Sequence, residues 1–178
     1  STLGIGSEKL RNPALRFSAS QKTKAKIYER DFSSLVFIGD YDIHAMMGTF
    51  GSLDKANIMS LRLSDLEMLT SFFEADGHTL EQNTSLFETV RMWMKDGEAV
   101  LFCIYLRTDE TSNPQEAVFK IQNMEQTLNK YKVLPKYEIF VVSEFPILDI
   151  QSTNVTTVQV EKSESEQKLF RHLAKIFT

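Results

Sequence analysis

Residues 98–107 read Glu-Ala-Val-Leu-Phe-Cys-Ile-Tyr-Leu-Arg, and the eight from Ala99 to Leu106 are apolar without a break. A continuous apolar run of this length, rich in branched and aromatic side chains, suits a strand buried on both faces. It is far too short to span a bilayer. Lys95-Asp96-Gly97 turns the chain into it, and the polar stretch Thr108–Asn113 follows it. The rest of the chain is read outward from this central strand.

Immediately downstream, Asn113-Pro114-Gln115-Glu116 carries the strongest local pattern in the chain. Asn can cap a helix, Pro suits the first helical position because no amide is needed there, and Glu follows at the third. Ala117, Ile121, Met124, Leu128 and Tyr131 continue at helical spacing, and Pro135 ends the element. Tyr137–Phe145 is rich in β-branched and aromatic residues and predicts a strand stopped by Pro146. Residues 98–137 therefore fit a β-α-β unit with two parallel strands. Asn154–Val160 predicts a further strand at an edge. A last helix begins at Ser163, with Leu169, Phe170, Leu173, Ile176 and Phe177 on its apolar side.

Upstream, residues 32–38 predict a first strand that ends at Gly39, with 41–47 as its continuation or a second strand. Residues 57–63 alternate Ile58, Ser60 and Arg62 against Met59, Leu61 and Leu63, the period of a half-buried strand. Ser64 and Glu67 fit a capping box ahead of a helix with Leu66, Leu69, Phe72 and Phe73 on one face, stopped at Asp76-Gly77. Ser85 and Glu88 repeat the box, with Leu86, Val90, Trp93 and Met94 behind it. Strands followed by helices, with one β-α-β unit, predict an α+β fold: a mixed, mainly antiparallel sheet with about four helices packed on it.

The 178 residues carry a net charge of −4, unevenly spread. Residues 1–30 hold Lys9, Arg11, Arg16, Lys22, Lys24, Lys26 and Arg30 against Glu8 and Glu29, a balance of +5, which leaves −9 on residues 31–178. With Gly4, Gly6, Pro13, several Ser and no sustained periodicity, 1–30 reads as a basic flexible arm ahead of a single domain, 31–178. Such an arm suits phosphate, anionic lipid or the acidic body of a neighbouring copy. The layout predicts a non-enzymatic binding or assembly protein. Its acidic body self-associates or binds a protein partner, and its basic arm contacts nucleic acid or an anionic membrane.

The alternative is a small metal-dependent hydrolase or nuclease. Asp40, Asp42 and His44 alternate with Tyr41, Ile43 and Ala45, so on an extended segment all three project from one face. Asp oxygens and a His nitrogen could hold a divalent cation that activates water. A solvated strand face has the same pattern. His78, in a turn, is the nearest spare ligand by type. The single cysteine, Cys103, sits between Phe102 and Ile104, which suits burial rather than nucleophilic catalysis. No dinucleotide fingerprint or P-loop is present, because the glycines at 39, 48 and 51 lack the Lys-Ser/Thr of a phosphate cradle. No cofactor is expected.

Lys168, Arg171, His172 and Lys175 lie beside the apolar face of the last helix, which suits a membrane surface, a partner, or docking on its own domain. No signal peptide or membrane span is evident, so an intracellular location, cytoplasmic or nuclear, is expected. The sequons at Asn83 and Asn154 then count as chance matches.

Overall fold

A computed structural model describes residues 27–51, 53, 56–78, 84–146, 150 and 152–177, with backbone only at 84–86. The chain divides into two units, Ser1–Arg30 and Asp31–Thr178, and the architecture described here is that of the second.

Its elements run β1 (Ser34–Ile38), α1 (Ile43–Phe50), β2 (Asn57–Leu61), α2 (Leu66–Glu74), α3 (Thr84–Asp96), β3 (Ala99–Leu106), α4 (Pro114–Tyr131), β4 (Lys136–Ser143), β5 (Val155–Gln159) and α5 (Ser165–Ile176). Short 3₁₀ turns at Leu63–Asp65 and Lys162–Glu164 lead into α2 and α5. The five strands form one sheet in the order β2-β1-β3-β4-β5, and every neighbouring pair is parallel. Ser34 lies opposite both Asn57 and Val100, Val100 opposite Tyr137, and Ile139 opposite Val155.

This corrects the expectation of an α+β fold with a mixed, mainly antiparallel sheet: the body is an α/β fold with an all-parallel sheet. Two features carry the correction. Residues 43–50 form a helix where an extended segment was expected, so β1, α1 and β2 make a β-α-β unit. Every residue of β1 is buried, and so are all of β3 and β4 beyond their first residues, as in sheets covered on both faces. The β-α-β unit expected across 98–137 is present, and β3 pairs along its whole length with β4. Between β4 and β5 the parallel crossover is only eleven residues, 144–154.

The strand period divides the core into two layers. Val36, Ile38, Val100, Phe102, Ile104, Ile139 and Val141 face Leu66, Leu69 and Phe73 of α2, Val90 and Trp93 of α3, and Ile121, Met124 and Leu128 of α4. The alternate residues Leu35, Phe37, Leu101, Cys103, Phe140 and Val142 are equally buried on the other side. There Phe140 meets His172 of α5 with ring centroids 5.5 Å apart, and Phe50 of α1 stacks on Phe170 of α5 at 6.0 Å. Helices α1 and α5 thus cover one face, and α2, α3 and α4 the other. Each fully buried aliphatic or aromatic side chain of these layers contributes about 1.5–3 kcal/mol relative to exposure.

Local chemistry fixes the helix ends. Asn113 accepts from the Glu116 amide at 3.2 Å, with Pro114 in the first turn, as its sequence predicts. A cap of this kind contributes about 1 kcal/mol. Lys132 ends α4 in the left-handed region, and its amide reaches Leu128 O at 3.0 Å. The box expected at Ser64 and Glu67 lies two residues earlier, at Arg62 and Asp65, where Asp65 accepts from the Arg62 amide at 2.9 Å. At Asp76-Gly77 both residues have positive φ, and the Gly77 amide returns to Phe72 O, closing α2 where the sequence predicts.

Candidate functional site

In a doubly wound parallel sheet the ligand crevice lies outside the carboxyl ends of the strands, where the winding direction reverses. Here the chain leaves β1 toward β2 on one side and returns through β3 toward β4 and β5 on the other. The reversal falls between β1 and β3, and the residues that leave those strands are Gly39-Asp40-Tyr41 and Arg107-Thr108-Asp109.

A close backbone approach shapes this point. A Cβ on Gly39 would stand 3.1 Å from Tyr105 O and 3.3 Å from Tyr105 Cβ. The missing side chain lets β1 end against β3. Beyond it, the Tyr41 ring meets Tyr105 edge-on at 5.7 Å, and the Arg107 guanidinium carbon lies 5.4 Å from the Tyr41 centroid and 6.0 Å from that of Tyr105. Each cation–π pair of this kind is worth about 0.5–1 kcal/mol. Arg107 also pairs with Asp109 at 3.0 Å through Nη2. Its Nε is buried and has no hydrogen-bond partner among the described residues.

A hydrogen-bond relay ties these strands to α5. The Tyr41 hydroxyl donates to Glu166 Oε2 at 3.0 Å. Tyr105 bonds Ser165 Oγ, and Ser165 Oγ donates to Glu144 Oε2 at 2.6 Å. Glu144 Oε1 accepts from the Thr108 amide at 2.9 Å and the Thr108 hydroxyl at 3.0 Å. Burial first, then Glu166, pushes the Tyr41 phenol up to about 12. Tyr105 is likewise pushed up to about 12, mainly by burial.

Burial alone would raise the Glu144 carboxyl, but the hydrogen bonds from Ser165 and Thr108 and the Arg107 charge outweigh it and hold it below the usual carboxylate value. A depressed folded pKa stabilises the fold fully above the unfolded value of about 4.3 and loses that contribution as pH falls through the folded value. Chemical unfolding across an acid pH series is expected to show this for Glu144. The stability gap between the wild type and Glu144→Gln is largest near neutrality and closes on acidification. A gap that stays constant down to the acid transition would show that the carboxylate charge contributes nothing.

Two cavities open at this end of the sheet. One, of about 500 Å³, is lined by Gly39, Asp40, Tyr41, Ser60, Leu61, Arg62 and Asp65. The other, of about 320 Å³, lies at Phe50, Arg107, Glu144 and residues 162–167.

Of the residues singled out in the sequence, Asp40 is exposed at the end of β1 beside the larger cavity. Asp42 caps α1, accepting from the His44 amide at 3.0 Å and the Ala45 amide at 3.2 Å. His44 is exposed on the first turn of that helix. The strand face that would have aligned Asp40, Asp42 and His44 is therefore a strand end, a cap and a helix. Among the described residues no three His, Cys, Asp or Glu side chains are grouped to hold a metal ion. The Asp42 carboxylate also takes the place where a phosphate would meet the α1 amides.

Lys9, Arg11, Arg16, Lys22, Lys24 and Lys26 lie outside the described residues, whereas Arg30 is described and half-buried. Cys103 is fully buried, and burial pushes its thiol well up, away from the thiolate that catalysis would need. On α5, His172 packs on Phe140. The helix docks its apolar side, Leu169, Leu173 and Ile176, on its own sheet.

Tyr41, Arg107, Glu144, Ser165 and Glu166 were not identified as a group from the sequence. Their one sequence-level signal is position: each stands just past a strand or at the start of α5.

No protein-family model, curated protein or solved structure matches the chain. No helix among the described residues is long and apolar enough to cross a membrane.

Proposed function

We propose that this chain is a non-enzymatic binding and assembly protein, in which the basic N-terminal segment contacts a phosphate-bearing polyanion and the acidic α/β body binds a protein partner or a second copy. One observation carries the reading. The charge changes sign, from +5 over residues 1–30 to −9 over 31–178, at the boundary where the chain divides into its two units. A cationic segment gains affinity by releasing counterions from nucleic acid or from an anionic lipid surface, while an acidic body is repelled by the same ligand. The segment has Phe17 and Tyr28 as its only aromatic residues, so base stacking contributes little and binding is non-specific. For the body, Phe119 is 63% exposed on α4 and Met68 40% exposed on α2, and Lys120, next to Phe119, joins Glu67, next to Met68, at 3.2 Å. Large apolar side chains exposed on joined helices suit a protein contact.

The test compares the full chain with one that starts at Asp31, against duplex and single-stranded nucleic acid and against anionic vesicles. Binding confined to the full chain, falling steeply with salt, is the expected result. Replacing Lys22, Lys24 and Lys26 together by Ala is expected to flatten the logarithmic salt slope for duplex by about two to three units, near 0.9 for each phosphate that is no longer neutralised. Equal affinity in the two chains would move polyanion binding to the body, and no binding by either would remove it. Sedimentation mass over a concentration series tests self-association, with Phe119→Asp expected to lower any mass above the monomer.

A further inference from the structure

We propose that the carboxyl end of β3 is a binding site for a compact oxyanion, the carboxylate or phosphate group of a small molecule, with Arg107 as its recognition residue and Lys162 as a second cation. The reading is independent of the N-terminal segment and stands on the body alone. The cavity of about 320 Å³ holds Arg107, Lys162, Ser163 and Gln167 in its lining, with Phe50 as an apolar wall. Its volume is at the lower end of the range for small-molecule sites.

The hydrogen-bond state of the lining gives the ligand its sign. Two of the lining carboxylates are already engaged: Glu144 takes three hydrogen bonds, from Ser165 and Thr108, and Glu166 accepts from Tyr41. The third, Glu164, is exposed and solvated and caps no helix amide, so the one lining atom that is both buried and unmatched sets the sign, and it is a donor. Lys162 forms no ion pair with any described residue. Arg107 Nε is the one buried side-chain nitrogen or oxygen among the described residues that lacks a partner. A buried donor without a partner carries its full desolvation penalty, which an acceptor from a ligand would recover.

Arginine is built for this task. Nε and Nη2 form one fork that matches the two oxygens of a carboxylate or phosphate. Here Asp109 takes only Nη2, and Asp109 is exposed and able to swing away. The rings of Tyr41 and Tyr105 hold the guanidinium plane at the point where the sheet's winding reverses. Glu144, Glu164 and Glu166 all stand in the lining, so the site favours a small ligand that reaches Arg107 over an extended polyanion, and affinity is modest, about millimolar for the bare ion.

The experiment follows the Arg107 Nε–Hε resonance of the full-length ¹⁵N-labelled chain by NMR, assigned by its loss in Arg107→Lys. Inorganic phosphate and acetate are titrated separately at constant ionic strength. A saturable shift of that resonance is expected. The ion that binds more tightly identifies the source chemistry as phosphate or carboxylate. Body amides at 162–167 report binding in the variants: Arg107→Lys is expected to weaken it about tenfold or more, because the fork is lost. The Lys22/Lys24/Lys26 triple alanine variant is expected to leave it unchanged.

Asp109→Asn, at an exposed position, keeps the test decisive if Arg107→Lys does not fold. Removing the competing carboxylate is expected to tighten binding several-fold. Absence of a saturable shift, equal affinity in Arg107→Lys, or an unchanged affinity in Asp109→Asn would overturn the assignment.

Discussion

Phe102→Ala is expected to cost about 3–5 kcal/mol, a large share of the total of about 5–15 kcal/mol that holds a domain of this kind folded. Phe102 is fully buried in the middle of β3. Its ring meets Phe73 of α2 edge-on at 6.0 Å and Tyr137 of β4 at 6.4 Å, so truncation opens a void between the sheet and its helical layer. Neither wall can close it easily: β3 is hydrogen-bonded on both sides, and α2 is packed against α4. The cavity term therefore adds to the lost transfer energy. Denaturant melts are expected to show a lower midpoint at unchanged slope, and thermal melts a fall of about 10 °C or more for a chain of this length. The control is Phe119→Ala, which removes the same ring from an exposed position of α4 and is expected to change stability by no more than about 0.5 kcal/mol. Comparable losses in both variants would mean that the layer under Phe102 is not the tightly packed core described above.

The same strand shows why part of the fold was legible and part was not. The uninterrupted run from Ala99 to Leu106 announces burial on both faces, and the structure places it in the centre of the sheet with every residue beyond Ala99 buried. Asn113-Pro114 announces the start of α4 because capping is local chemistry that tertiary contacts do not override. Beyond the parallel pair β3 and β4, the strand directions are the part the sequence does not show. β1 is as fully buried as β3, but at five residues it is too short for its apolar run to be told from an alternating one.

The decisive miss was α1. Eight residues give barely two turns of periodicity, and Ile43, Gly48 and Thr49 are poor helix formers. That helix is held from outside itself, by the burial of Ile43 and Met46 and by Phe50 on Phe170 of α5. Without it, β1 and β2 lack a crossover, and the parallel sheet cannot be inferred. The site failed for a related reason. Asp40, Asp42 and His44 are near in sequence but serve different structural ends. Tyr41, Arg107, Glu144 and Ser165 come from four distant stretches that only the parallel topology brings to one edge.

Gly39→Val is expected to destabilise the body by about 3 kcal/mol or more, with Gly39→Ala intermediate at about 1–3 kcal/mol, the range for overpacking a filled core. Gly39 does not owe its place to an unusual backbone angle, since it is not among the glycines with positive φ. Space is the constraint. The first atoms an added Cβ meets are Tyr105 O at 3.1 Å and Tyr105 Cβ at 3.3 Å. Both belong to the backbone end of a strand hydrogen-bonded to β1 and β4, so they cannot swing away as the tip of a long side chain would. The Gly39 amide is fixed as well, donating to Leu61 O of β2 at 3.0 Å. The strain then falls on the carboxyl edge. To admit Val, Tyr105 has to shift, which loosens its bond to Ser165, its edge-on packing with Tyr41 and the aromatic support of Arg107. The variant is therefore expected to lose more than stability: the Arg107 Nε–Hε resonance moves before any ligand is added. If Gly39→Ala instead melts at or above the wild-type midpoint with that resonance unmoved, β1 and β3 have room to part, and the close approach that shapes the edge is not required.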